Sequence, residues 1–198
     1  MATNSGEIRW SRRRRAVAAS LVFVAAAVLS AVSLLALHWV SVPKRDLPTN
    51  NGHIGFVRLH LPAHALTLPS LSGRRTIDLA GLVGKPIVMN FWASSCHPCR
   101  SETPALASEA RAVGNQITFL GIDTADRRGA AIAFVRRYRV PYWVAFDPHA
   151  SAAGQYGVVA LPVTFFLSPS AKTVVGENIG ALTQSKLRLI LRLLYGVT

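Results

Sequence analysis

The two cysteines of this chain, Cys96 and Cys99, are separated by only His97 and Pro98. Sulfurs at this spacing can close a small disulfide ring, so the pair suits thiol–disulfide exchange. The attacking species in such a reaction is a thiolate, which the N–H groups and positive dipole end of a helix N-terminus stabilise. A Cys-x-x-Cys between a strand and a helix is therefore typical of a redox site.

The positions of the two sulfurs predict different roles for them. Cys96, at the start of the helix, is expected to be the nucleophile, and Cys99, one turn further and more buried, the resolving thiol that releases the mixed disulfide. Pro98 suits the first helical turn because its missing N–H costs nothing there. His97 has two open interpretations: a cation that tunes the disulfide towards reduction, or an exposed neutral ring with little effect.

The elements around the cysteines follow from the apolar pattern. Residues 86–92 predict a buried strand and residues 98–113 a helix. Further strands are predicted at 117–122, 143–146, 163–167 and 173–175, further helices at 129–139 and 184–194, and a hairpin at 66–68 and 76–79. Strands that alternate with helices indicate an α/β protein whose sheet is covered on both faces.

An apolar segment near the N-terminus predicts a membrane anchor. Residues 16–37 are 22 residues without a charge, and about 20 suffice to span a bilayer. Five arginines precede the segment, whereas only Lys44 and Arg45 follow closely, which puts the N-terminus in the cytoplasm and the rest of the chain on the periplasmic or outer face of the cell membrane. The alternative is a cleaved signal peptide, for which residues 25–27 offer a small-x-small site.

The predicted organisation has four parts: a cytoplasmic tail (1–15), a transmembrane anchor (16–40), a linker (41–60) and an α/β domain (61–198). The chain has a formal net charge of +13, but its arginines outside the tail are scattered in small groups. This pattern argues against nucleic-acid binding and favours attraction to anionic membrane surfaces or acidic partners. With a single cysteine pair, disulfides do not hold the fold together.

Motifs around the cysteines match one family. The sequence FWA-x-x-C-x-x-C-R-x-E at 91–102, with LP-x-T-x-F at 161–166, resembles the membrane-tethered thioredoxin-like proteins of bacteria, the TlpA/ResA/CcmG group. The resemblance covers roughly residues 60–196. It implies a thioredoxin-like fold, a central mixed sheet flanked by helices, and thiol–disulfide exchange with exported proteins, which in several members include apocytochrome c. We expect no cofactor and no bound metal.

The family carries an acid at the position of Glu102, three residues after Cys99 and on the same helical face. The resemblance implies that Glu102 holds or accepts a proton during exchange; the alternative is a first-turn acid that supports the helix dipole. Thioredoxin has a buried aspartate on the preceding strand, where this chain has Asn90, and this departure moves the proton role towards Glu102. Ser95 replaces the usual tryptophan and opens the rim of the site.

The second motif predicts the substrate groove. In this fold a cis-proline faces the disulfide, and the resemblance places it at Pro162, with Leu161 offering its backbone to an extended substrate. Trp92 is predicted to be a packing platform under the site rather than a ligand contact.

Three functions stay open from the sequence. The first is a reductase of exported proteins that takes electrons from a membrane or exported thiol donor, a direction that Pro98 favours. The second is an oxidase that donates its disulfide, since direction depends on redox potential. The third is a non-enzymatic copper or zinc module built on the cysteines and a histidine, although no second Cys/His cluster is evident and His60, His64 and His149 are isolated. Arg100 after Cys99 does not indicate covalent haem attachment.

Overall fold

The structure, a computed structural model, describes residues 55–197. Six of the strands in this part of the chain form one mixed sheet: β1 (Phe56–Pro62), β4 (Ile87–Trp92), β5 (Thr118–Thr124), β6 (Trp143–Asp147), β7 (Val163–Leu167) and β8 (Thr173–Ile179). Their order across the sheet is β1-β8-β7-β4-β5-β6. The pairs β4–β5 and β5–β6 are parallel, whereas β4–β7, β7–β8 and β1–β8 are antiparallel.

The helices are α1 (His97–Val113), α2 (Arg128–Arg137), α3 (Ser151–Gln155) and α4 (Gln184–Tyr195), with 3-10 turns at Leu79–Leu82 and Gly114–Gln116. A separate hairpin pairs β2 (Thr67–Pro69) with β3 (Thr76–Asp78). None of the helices formed by residues 55–197 has the length and apolar character that a membrane crossing requires.

The centre of the sheet is β4, in which every residue is buried. Successive side chains point to opposite faces, and the two faces pack against different elements. Met89 and Phe91 pack with the hairpin and α3, while Val88 packs with α1 and α4 and Trp92 with α2. Burial on both faces explains why β4 is apolar at every position except Asn90. The same packing holds the end of β4, where the cysteine loop begins.

The elements predicted around the cysteines are confirmed, with boundaries that differ by a few residues. Two elements were not predicted. Strand β1 includes residues 56–60, which the sequence assigned to the linker 41–60, and α3 is a helix of only five residues. Strand β1 lies at the sheet edge and is held by its pairing with β8 and by a hydrogen bond from Arg58 Nη2 to the Leu193 carbonyl (2.6 Å), contacts with distant residues that a local pattern does not reveal. The predicted tail (1–15), anchor (16–40) and most of the linker lie outside the described residues.

Candidate active site

A disulfide joins Cys96 and Cys99 at the junction of β4 and α1, with an S–S distance of 2.07 Å. Cys96 is the N-cap of α1, and its Sγ accepts the N–H of Cys99 at 3.2 Å. Cys96 is half-buried, whereas Cys99 is 0% exposed. The structure thus gives Cys96 the accessible position that a nucleophile needs and Cys99 the shielded one, although their catalytic roles stay predictions.

The two residues between the sulfurs are both exposed. Pro98 lies in the first turn of α1, where its missing N–H removes no helical hydrogen bond. His97 is the first residue of α1, and its tuning role stays a prediction.

The loop before Cys96 is held at both backbone polar groups of Ser94, its N–H and its carbonyl. Asp126 Oδ2 accepts the N–H of Ser94 at 2.6 Å. The Arg100 guanidinium donates from Nε and Nη2 to the Ser94 carbonyl at 3.0 and 2.8 Å. Because Ser94 lies two residues before Cys96, these charged contacts fix the approach of the chain to the reactive sulfur.

Glu102 lies one helical turn beyond Cys99 and is 1% exposed. Its Oε1 accepts a hydrogen bond from Asn90 Nδ2 at 2.8 Å, and its Oε2 accepts the N–H of Leu182 at 2.9 Å. Burial raises the pKa of Glu102 to about 7, an effect larger than the opposing one of the two hydrogen bonds. A carboxyl group with this pKa changes its protonation near neutral pH, as a proton carrier must.

The alternative for Glu102, an acid in the first turn that supports the helix dipole, is wrong. Helix α1 begins at His97, so Glu102 lies in the second turn, and the first turn contains no acid. Its carboxylate bonds with β4 and with the segment before α4 instead of with the helix N-terminus. The reason is the apolar packing of α1, which turns this face of the helix inwards.

Asn90, at the position of thioredoxin's aspartate, donates hydrogen bonds to two other elements of the fold. Besides the bond to Glu102, its Nδ2 donates to Thr164 Oγ1 on β7 at 3.0 Å. The amide therefore ties together the central strand, its antiparallel neighbour and α1. Sequence reasoning noted only that Asn90 cannot titrate, and it missed the Leu182 N–H altogether because any residue type can supply a backbone donor.

Of the two predicted groove residues, the structure places Leu161 in the apolar cluster of the cysteines. The Leu161–Pro162 peptide bond is cis, Pro162 is buried, and Leu161 is half-buried. Leu161 packs against the apolar cluster that contains Trp92 and Cys99 and that Cys96 also contacts. The structure therefore brings Leu161 to the same cluster as both sulfurs, while substrate binding by Leu161 and Pro162 stays a prediction.

Trp92 is a packing residue under the site. It is 3% exposed, and its ring stacks on Phe134 of α2 with a centroid distance of 4.4 Å. On its other side, a Cβ at Gly121 would lie 2.9 Å from the indole Nε1. Glycine at 121 thus leaves the space that Trp92 occupies between the strands and α2.

An acidic pair, Asp123 and Asp126, lies next to the Ser94 N–H and was missed by the sequence analysis. Asp123 on β5 is 0% exposed, and burial together with the charge of Asp126 raises its pKa to about 8. Burial alone would raise the pKa of Asp126 too, but the hydrogen bonds from Ser94 and Arg127 outweigh it and hold that pKa below its usual value. The available signal was an Asp-x-x-Asp placed directly at the end of an apolar strand.

No group of three or more potential metal ligands occurs within residues 55–197. His60, His64 and His149 thus do not join the cysteine sulfurs in such a cluster. The two sulfurs are bonded to each other.

Residues 60–175 match the model of the AhpC/TSA family. This stretch is more than half of the chain and contains both cysteines, Glu102 and Pro162. The chain belongs to the AhpC/TSA family. Its fold is thioredoxin-like, and the resemblance stated from the sequence is confirmed by relatives named ResA and DsbE.

Two curated relatives illustrate the match. The thiol-disulfide oxidoreductase ResA of Bacillus subtilis is 31% identical over 119 residues, which cover 60% of this chain and 65% of ResA. The thiol:disulfide interchange protein DsbE of Pseudomonas fluorescens is 33% identical over 118 residues, which cover 59% of this chain and 64% of DsbE. The chain therefore spans slightly less than two thirds of the length of these relatives.

Solved structures agree with this family. A secreted disulfide oxidoreductase of Mycobacterium tuberculosis, homologous to Escherichia coli DsbE, is 31% identical with a TM-score of 0.59, and the match covers 65% of this chain and 96% of that one. A DsbF homologue from Corynebacterium diphtheriae has a TM-score of 0.65 over 75% of this chain and 98% of its own. At 24% identity, the latter supports the fold alone.

Proposed function

We propose that this chain is a membrane-tethered, extracytoplasmic thiol–disulfide oxidoreductase that reduces disulfides in exported proteins. The observation that carries the proposal is the Cys96–Cys99 disulfide at the N-terminus of α1, with one sulfur half-buried and the other enclosed. Glu102, a buried acid with a pKa near neutrality, lies one turn away on the same helix. The names of the relatives describe the same class of activity.

The reaction begins with the reduced protein. The Cys96 thiolate attacks one sulfur of a substrate disulfide; an S–S bond forms between protein and substrate, and the substrate's other sulfur leaves as a thiolate that takes up a proton. Cys99 then loses its proton and attacks Cys96 Sγ, which breaks the mixed disulfide and releases the second substrate thiol. Two electrons pass to the substrate, and the protein is left with the Cys96–Cys99 disulfide.

Glu102 supplies the acid–base part of the second step. Cys99 is enclosed, so water does not remove its proton easily, and a thiol must become a thiolate before it attacks. The Glu102 carboxylate, which is about half ionised near pH 7, accepts that proton and later returns it to solvent or to the leaving thiol.

Exchange is tested with the full chain in detergent. The wild type, supplied with dithiothreitol, is expected to accelerate reduction of a protein disulfide such as those of insulin. Cys96→Ser should reduce the rate to that of dithiothreitol alone, because the attacking sulfur is lost. A wild type no faster than Cys96→Ser would overturn the proposal and would leave the metal-binding function to be tested by zinc and copper titration.

The tether and the cellular location belong to the same proposal. Their support is the 22-residue uncharged segment at 16–37 and the arginines before it. The protein is expected to stay in the membrane fraction after extraction with alkaline carbonate, and a protease added outside spheroplasts should digest its C-terminal domain. Release by carbonate, or a mature N-terminus beyond residue 27, would indicate a cleaved signal peptide instead.

The proposed substrates are disulfides of exported proteins, and apocytochrome c is the specific candidate. The support is the family resemblance together with a relative named a thiol:disulfide interchange protein. Cys99→Ser leaves the nucleophile without its resolving thiol, so mixed disulfides should accumulate in cells and can be identified by mass spectrometry. Recovery of apocytochrome c supports the candidate, and recovery of other exported proteins alone contradicts it.

The direction of exchange is decided by the redox potential of the Cys96/Cys99 couple. A reductase is expected near the potential of thioredoxin, about −270 mV, whereas an oxidase such as DsbA lies near about −120 mV. Equilibration of the full chain with defined ratios of reduced and oxidised glutathione measures it. A value close to that of DsbA would replace the reductase with an oxidase that donates its disulfide.

A further inference from the structure

Asp123 is a buried acid that receives no hydrogen bond from residues 55–197. It lies on β5 opposite Trp92 and is 0% exposed. Among residues 55–197, no N–H or O–H group donates to either of its carboxylate oxygens. A buried carboxylate with no donor is costly when ionised, so the stable form of this side chain carries its own proton.

Three charged groups face Asp123 from the elements around it: Asp126, Asp147 of β6 and Arg128 of α2. The two aspartates oppose its ionisation and the arginine favours it. The Arg128 guanidinium, however, also donates to the Leu71 carbonyl at 2.6 Å and lies over the Phe146 ring at 4.2 Å, so it is shared among several partners.

Asp147 is already satisfied by other donors. Its Oδ1 accepts from the N–H and hydroxyl of Ser151, and its Oδ2 accepts the N–H of Ala153. Asp126 is therefore the acceptor that faces the proton of Asp123. A protonated carboxyl group beside a carboxylate can share its proton with it, as paired acids do.

Asp126 connects this proton to the active-site loop. Its Oδ1 accepts the N–H of Arg127 at 2.6 Å, and its Oδ2 accepts the N–H of Ser94 at 2.6 Å. Ser94 precedes Cys96 by two residues, and the Arg100 guanidinium donates to the Ser94 carbonyl. A change at Asp123 thus reaches the reactive sulfur through one carboxylate and one short stretch of backbone.

We propose that Asp123 and Asp126 hold one proton between them and that this proton positions the Ser94 peptide, and through it Cys96, for exchange. With the proton in place, the Asp123 carboxyl donates to the Asp126 carboxylate, and Asp126 stays aimed at the Ser94 N–H. Loss of the proton sets two carboxylates against each other, so Asp126 turns away and its bond to Ser94 weakens. Both acids are positioning residues, since they act on Cys96 through the Ser94 backbone.

The pH at which Asp123 and Asp126 lose their shared proton follows from their surroundings. Burial and the charge of Asp126 raise the pKa of Asp123 to about 8. The shared proton is therefore present at neutral pH and is lost in mildly alkaline solution. The effect on exchange rests on the proposed function, but the sharing of the proton does not.

Proton sharing is tested in the oxidised full chain, where the cysteines do not titrate. The amide signal of Ser94, followed by NMR in detergent micelles, is expected to shift with a midpoint near pH 8. Asp123→Asn should abolish this transition, because the amide donates permanently to Asp126, whereas Asp126→Asn should move it to lower pH by removing a charge. The control is Asp78→Asn, which changes an exposed acid at the N-cap of the 3-10 turn Leu79–Leu82. It should leave the Ser94 transition unchanged.

The outcomes of this titration decide the proposal. A Ser94 amide that does not titrate in mildly alkaline solution, or a transition that survives in Asp123→Asn, would overturn it. Should Asp123→Asn fail to fold, Asp126→Asn decides by itself: a midpoint at lower pH supports the shared proton, and an unchanged midpoint refutes it. None of these readouts requires the protein to be active.

The positioning role is tested by the ratio of exchange rates of Asp123→Asn and wild type, in which the pH dependence of the reductant cancels. The ratio is expected to be near one in mildly acidic solution and to rise at least about twofold above pH 8, because the variant keeps the loop in place. A ratio that stays constant with pH refutes the positioning role. Absence of activity in the wild type refutes the proposed function and leaves the NMR result standing.

Discussion

Asn90 Nδ2 lies 2.8 Å from Oε1 of Glu102, so an amide on the central strand donates directly to the buried acid of the active-site helix. Where thioredoxin has its acid on the strand, this chain has the acid on the helix and an amide on the strand. The amide remains a donor at every pH, so it stabilises the charged form of Glu102 and offsets part of the cost of burial.

Replacement of Glu102 by glutamine is expected to change the pH dependence of exchange. The wild-type rate should show a transition near pH 7 as the carboxyl group gives up its proton, and Glu102→Gln should lose that transition and be slower above it. Steady-state reduction of a protein disulfide as a function of pH measures this. Glu109→Gln, a second buried acid on α1, is the matched control and should keep the transition; an identical loss in both would contradict the role of Glu102.

The Glu102 carboxyl group also makes the free energy of unfolding depend on pH. Its pKa rises from an ordinary 4.5 in the unfolded chain to about 7 in the folded protein, so the folded state holds a proton that the unfolded state has lost. This contribution is complete below pH 4.5 and disappears as pH rises through 7, a loss of about 3 kcal/mol. Urea unfolding of the oxidised protein at several pH values should show this loss, and the wild-type-minus-Glu102→Gln difference isolates it. A difference that is flat with pH would refute it.

Removal of the amide at position 90 is expected to raise the pKa of Glu102 further. In Asn90→Ala, Oε1 of Glu102 and Oγ1 of Thr164 both lose their donor, and such a loss costs about 1–3 kcal/mol. Denaturation should show lower stability, and the pH transition of exchange should move upwards. Asn115→Ala changes an exposed amide and should do neither. An unchanged midpoint in Asn90→Ala would show that the bond does not influence the acid.

The packing of α1 against α4 depends on an ion pair with one buried member. Arg188 Nε donates to Oε1 of Glu109 at 2.7 Å, and the side chain of Glu109 is only 3% exposed. Arg188→Met should lower the free energy of unfolding by about 1–2 kcal/mol because, among residues 55–197, the carboxylate then keeps only the donor from Gln184. Arg192→Met, on the exposed side of the same helix, is the control, and equal effects of the two variants in thermal melts would contradict this role.

The elements next to the cysteines could be predicted because their sequence patterns are local and strong. Strand β4 is apolar at every position except Asn90, and α1 follows it with a proline in its first turn. Strand β1 could not be predicted, because its side chains are mostly exposed and its pairing with β8 joins residues far apart in the chain. Helix α3 is too short to carry a periodic pattern.

The sequence by itself determined the redox pair, its order along the chain and the fold around it, because each of these depends on residue types at short spacing. Only the tertiary structure decided which groups surround the pair. Glu102 meets Asn90 and the Leu182 N–H, and Asp126 meets the Ser94 N–H, through contacts between residues far apart in the chain. The protonation of both acids depends on burial and on neighbours brought together by folding, and neither quantity exists in the unfolded chain.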